Sequence, residues 1–137
     1  MRASLEICIL IGASICASAQ APNPATAYES KATVEGLVRD IACPIQNLEA
    51  TATHLSMKCL RECAKAGSPL VILTKDGELY VPISDKMPDA DQRQRLMPFL
   101  GKYVRASGTV FERKGTHAIA ITKIEELKNV HLDIEDQ

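Results

Sequence analysis

The residue pattern predicts a mainly β domain with two short helices, its strands bent into a small closed barrel. Three observations carry that expectation. The apolar periods run strand, helix, strand, strand, helix, strand, strand. Gly36 and Gly108 fall in mid-strand, where glycine weakens a flat strand but allows tight coiling. The second helix is too short to cover a sheet as a crossover, which disfavours the alternative, a ferredoxin-like α+β fold.

The elements follow in order. Residues 1–19 read as a secretion signal. Arg2 precedes an apolar run from Ile7 to Ala17, and Ala17-Ser18-Ala19 has the small-x-small pattern of a cleavage site. That run is too short to span a bilayer, which takes about 20 residues. Residues 20–32, rich in Ala, Pro and small polar residues, read as a flexible leader. The domain proper is expected over 33–125. Its first strand starts at Thr33 and is expected to end near Cys43-Pro44, because proline cannot donate to a ladder. Residues 46–54 have no period and read as loop. Ser56 caps a helix over about Met57–Ala66, with Gly67 and Pro69 as stop signals. Leu70–Thr74 is an apolar strand, and Asp76-Gly77 turns it into Glu78–Ile83. Asp89 with Gln92 suggests a capping box for a short helix ending before Pro98. Lys102–Arg113, a Lys114-Gly115 turn and Thr116–Ile124 form the closing hairpin. Residues 126–137 form an acidic tail expected to fray. Five bent strands with a helix between the third and fourth describe an oligonucleotide/oligosaccharide-binding (OB) barrel.

Composition narrows function. Net charge is −1, with no Trp, two Phe and three Tyr. A nucleic-acid partner is therefore not expected, since such binders rely on basic grooves and stacking rings. No segment after the signal could be transmembrane. The partner expected is a small ligand or an envelope protein, met in the periplasm or outside the cell.

Cys59–Asp85 (CLRECAKAGSPLVILTKDGELYVPISD) and Leu96–Ile121 (LMPFLGKYVRASGTVFERKGTHAIAI) resemble a group of short exported bacterial proteins. The shared features are a strand ending at a Cys, a later C-x3-C followed by Gly-x-Pro, and a closing hairpin. The resemblance implies an OB-like fold and export. It implies no activity, because that group has no agreed function.

No nucleophile elbow, zinc-protease helix, P-loop or C-x-x-C motif occurs, so a non-enzymatic binding or accessory module is expected, with no catalytic residues and no organic cofactor. Asp85, Asp89 and Asp91 suit turn and cap chemistry better than calcium, and His117 suits a hydrogen-bonded rim position. The chemistry rests with Cys43, Cys59 and Cys63, spaced C-x15-C-x3-C, with His54 five residues before Cys59. The first reading is a disulfide from Cys43 to Cys59 or Cys63, worth about 3 kcal/mol through loop closure. In that reading the third thiol is buried and inert; the helix arc turns both helix thiols toward the protein body, near the arc's edge where partial access remains. The alternative is a copper or zinc site. Residues at i and i+4 share a helix face, so Cys59 and Cys63 could grip one ion, completed by Cys43, with or without His54. A thiol-redox role comes third.

Overall fold

Thirteen residues in one long extended run, Tyr28–Asp40, form strand β1. In the computed structural model, which describes residues 28–136, this strand runs along two neighbours. Its first part pairs antiparallel with β5 (Tyr103–Arg113), and its end pairs with β3 (Leu70–Leu73). β3 turns at Asp76-Gly77 into β4 (Leu79–Pro82), where Gly77 takes positive φ as the hairpin requires. β5 turns into β6 (Thr116–Glu126), which also lies parallel to β4. The ring β1-β3-β4-β6-β5 thus closes without an open edge. In barrel order the strands run first, second, third, fifth, fourth: the mainly β, OB-like architecture expected from the sequence.

The mid-strand glycines have a specific cause. A Cβ on Gly36 would overlap the Leu73 carbonyl, and one on Gly108 would overlap the Ala120 carbonyl. Both therefore allow backbones to cross closely where the sheet coils, and the β5–β6 register shifts between Ser107 and Gly108.

Two apolar clusters hold the domain. Inside the barrel, Val34, Val38, Ile72, Val104, Ile119 and Ile121 pack together. Leu96 of α3 (Arg93–Leu96) plugs this interior, followed by a 3-10 turn over Met97–Phe99. Outside the barrel, Leu37, Leu73 and Tyr103 are covered by Ala52, Leu55 and Leu60. Leu60 belongs to α2 (Met57–Lys65) and Leu55 to the two-residue β2 (His54–Leu55). This second cluster explains why burial alternates up to Gly36 and then becomes continuous from Gly36 to Asp40. There both faces of β1 are covered.

Several boundaries differ from the sequence reading. β1 begins at Tyr28, inside the stretch read as leader; the signal and the rest of that leader lie outside the described residues. β1 ends at Asp40, and Cys43-Pro44 lies in α1 (Ala42–Gln46). Proline fits a helix's first turn, where its N–H is not needed, so Pro44 marks a helix start and not a strand end. Asp89 does not cap α3. Its Oδ1 accepts from the Ser84 amide, while Asp91 accepts from the Arg93 amide.

The described part of the acidic tail, 126–136, is docked on the domain. Leu127, Val130, Leu132 and Ile134 pack on the outer cluster, and β7 (Asp133–Ile134) pairs parallel with β2. Its charge concealed an apolar period of its own. Among the described residues no helix is long and apolar enough to cross a membrane.

Candidate metal centre

α2 carries two of the three described cysteines, and its own cap and two distant groups fix where it lies. Ser56 caps it as expected, its hydroxyl accepting from the Cys59 amide at 3.1 Å. Asp136, from the other end of the chain, accepts from the Met57 amide at 2.7 Å and the Lys58 amide at 2.8 Å. A carboxylate suits this position, where unpaired amides and the helix dipole both favour negative charge. Desolvation opposes ionisation of Asp136, but the amide and Ser56 hydrogen bonds outweigh it and its pKa falls below the usual value. At the other end, the Arg93 guanidinium donates to the carbonyls of Ala64 and Ser68. Leu60 and Ala64 face inward between these caps.

Cys43 reaches this helix through a sharp local turn. Asp40 is fully buried at the end of β1, and its Oδ2 accepts from the Cys43 amide at 2.9 Å. That bond starts α1 and holds the Cys43 side chain over α2. The Sγ atoms of Cys43, Cys59 and Cys63 all lie within 4.8 Å of one another. The sequence separates Cys43 from the other two by a loop and β2; folding brings all three together.

The thiols are not equivalent. Burial pushes the Cys43 thiol up to about 11, assisted by hydrogen bonds to Cys59 and Asp40 and by the Asp40 charge. Burial likewise raises Cys63, and the Asp40 charge adds to it. Cys59 is exposed and Cys63 half-buried, so the expectation that both helix thiols face inward holds only for Cys63. Cys59 sits one turn nearer the helix start, at the edge of the apolar arc.

No two of the described cysteines stand at disulfide-bonding distance. All three described cysteines are free, and the Cys43–Cys59 sulfurs stand 3.4 Å apart, against about 2.05 Å for a bond. The proposed fourth ligand, His54, also falls outside the group. Its Nδ1 lies 3.0 Å from Asp133 and its Nε2 lies 2.9 Å from Glu135. Both ring nitrogens face tail carboxylates, and His54 does not join the three sulfurs. The Asp133 hydrogen bond, followed by the charges of Asp133 and Glu135, raises the His54 pKa despite some desolvation. His54 thus ties the tail to β2. His117 stacks against Tyr80 with ring centres 5.1 Å apart and stands 3.8 Å from Glu78, too far for the rim hydrogen bond expected of it.

Sequence reasoning missed Asp40 and Arg39. Both are charged, both are at most 2% exposed, and both sit next to the cysteine group. An Arg-Asp pair closing a strand resembles any polar strand end, so no local signal distinguished it.

No protein-family model, curated protein or solved structure matches the chain. Fold and site therefore define its class: a five-stranded OB-like barrel whose helices α1 and α2 present a three-cysteine group able to hold a metal ion.

Proposed function

We propose that this is an exported barrel protein that binds a soft metal ion, copper or zinc, through Cys43, Cys59 and Cys63. One observation carries the reading: three sulfurs from two separate elements converge within 4.8 Å. Thiolates select soft and borderline ions. Each thiol gives up its proton to solvent as its sulfur joins the ion, and the ion's charge offsets the mutual repulsion of three thiolates beside Asp40. Asp40 acts as a positioning residue, since its hydrogen bond to the Cys43 amide aims that side chain at the helix. The barrel serves as a rigid support, and no residue is assigned a catalytic role.

The test is metal analysis of protein purified without chelator or added metal, together with titration of the metal-free, reduced form. About one equivalent of copper or zinc, bound by wild type and lost in a Cys43→Ser variant, is the expected result. No uptake by the fully reduced protein would overturn the reading. Export is checked separately: intact mass of the protein recovered outside the cytoplasm should begin at Gln20, and a dominant species retaining residues 1–19 would contradict it.

The 3.4 Å approach of Cys43 to Cys59 favours one second reading, a disulfide between these two residues in an oxidising compartment. Peptide mapping of native, unreduced protein separates the two. A 43–59 bridge that persists in the presence of metal would promote the structural or redox role.

A further inference from the structure

A cavity of about 70 Å³ opens beside the cysteine group, walled by Arg39, Cys43, Asn47, His54, Ser56 and Cys59 among others. Cys63 is not part of that wall, so an ion held by the three sulfurs would have Cys63 behind it and the cavity in front. Among the described residues no other His, Cys, Asp or Glu joins the three sulfurs. His54, the nearest alternative by sequence, has both ring nitrogens committed to the tail. Three protein ligands leave a fourth position free, the arrangement by which metal sites admit an outside ligand.

The second observation concerns Arg39. Its side chain is 2% exposed, and one terminal nitrogen donates to the Thr51 carbonyl at 3.0 Å. Among the described residues its Nε has no hydrogen-bond partner. A buried charged donor left without an acceptor is costly, and a polar ligand in the adjoining cavity would relieve that cost. We propose that the metal site keeps one coordination position open to this cavity, and that Arg39 recruits a small monoanion to it. The proposal rests on the metal reading above.

Size and charge define the ligand class. A cavity of this measure holds one water per roughly 10–15 Å³, so it has room for a small ion of a few atoms. Arg39 supplies the cation in the cavity wall, whereas His54 lies against the carboxylates of Asp133 and Glu135. Glu49 also reaches the rim, which disfavours a dianion. The ligand is therefore a compact, two-ended monoanion of the azide or thiocyanate type, with one end on the metal and the other accepting from Arg39.

The experiment uses the full mature chain loaded anaerobically with cobalt(II), whose visible spectrum reports sulfur ligation and coordination number. Azide is the probe. Wild type should show sulfur-to-cobalt bands on loading, then a saturable change in the ligand-field bands as azide is added. Arg39→Gln should weaken azide by roughly tenfold or more while keeping cobalt uptake, and Arg39→Lys should restore part of the affinity. Should Arg39→Gln fail to fold, wild type still decides the matter through charge preference: neutral imidazole should bind more weakly than azide. Cobalt uptake with a spectrum indifferent to azide, or equal affinity for imidazole and azide, would overturn this inference and leave the metal reading intact. Failure to take up cobalt, copper or zinc would overturn both.

Discussion

Replacing Leu60 with alanine tests whether the outer apolar cluster is what holds the metal helix on the barrel. Leu60 is 0% exposed and packs with Leu37, Leu73 and Tyr103 on the outer face. The substitution removes three carbons, worth about 0.8 kcal/mol each in transfer alone. It also leaves a cavity beneath a short helix, which brings the expected loss to about 2–5 kcal/mol. A domain of this size is stable by about 5–15 kcal/mol, so the variant should remain folded. With a urea slope of about 1–3 kcal/mol per molar, the unfolding midpoint should fall by roughly 1–3 M. The assay is urea unfolding followed by far-ultraviolet circular dichroism on reduced, metal-free protein. Arg61→Ala, on the exposed face of the same helix, serves as control and should stay within about 0.5 kcal/mol of wild type. A Leu60→Ala loss below about 1 kcal/mol would refute the reasoning, because α2 would then be seated by its caps and not by its apolar face.

Other outcomes follow from the same geometry. Tail docking through His54 should be pH-dependent. Because the folded pKa is raised above 6.5, this contribution is fully present below that value and fades as pH rises through the folded one; amide exchange at Asp133 and Ile134 should quicken over that range. For Asp136 the sign reverses. Its folded pKa lies below 3.8, so its capping contribution holds above 3.8 and is lost as pH falls through the folded value, seen as loss of Met57 and Lys58 amide protection. Limited alkylation of the reduced, metal-free protein should label Cys59 before Cys43 or Cys63, since Cys59 is exposed and burial pushes the Cys43 thiol to about 11; equal labelling of all three would contradict the described packing. Gly36→Val should prevent barrel closure, because its Cβ meets the Leu73 backbone, and a cooperatively folded variant would show that the β1–β3 crossing is looser than described.

Much of this protein is written locally. Ser56, Gly67 and the apolar arc of Met57–Lys65 specify α2 from neighbouring residues alone, and the same arc places Cys59 and Cys63 one turn apart. Asp76-Gly77 and Lys114-Gly115 specify two turns, and alternating residues specify the strands that flank them. Those features depend on spacings of two to four residues, which a sequence displays directly. Gly36 and Gly108 hinted at coiling, and the carbonyls that require them became visible only with the fold.

The site depended on contacts that no local period encodes. Cys43 meets Cys59 because Asp40 turns the chain just after β1, while Pro44 on its own suggested a strand end. His54 looked like a ligand until Asp133 and Glu135, about eighty residues further along, took both of its nitrogens. The tail looked soluble and frayed because its acidic residues masked Leu127, Val130, Leu132 and Ile134, which find their apolar surface only once β1, β3 and α2 have assembled it. Arg39 lost contact with water only when residues beyond the barrel covered the outer face of β1. Sequence alone determined the strands, the helix and its pair of thiols through short-range geometry. The third thiol's approach, the fate of His54 and the orphaned guanidinium were decided by tertiary structure, because each depends on surfaces that exist only after distant segments have packed.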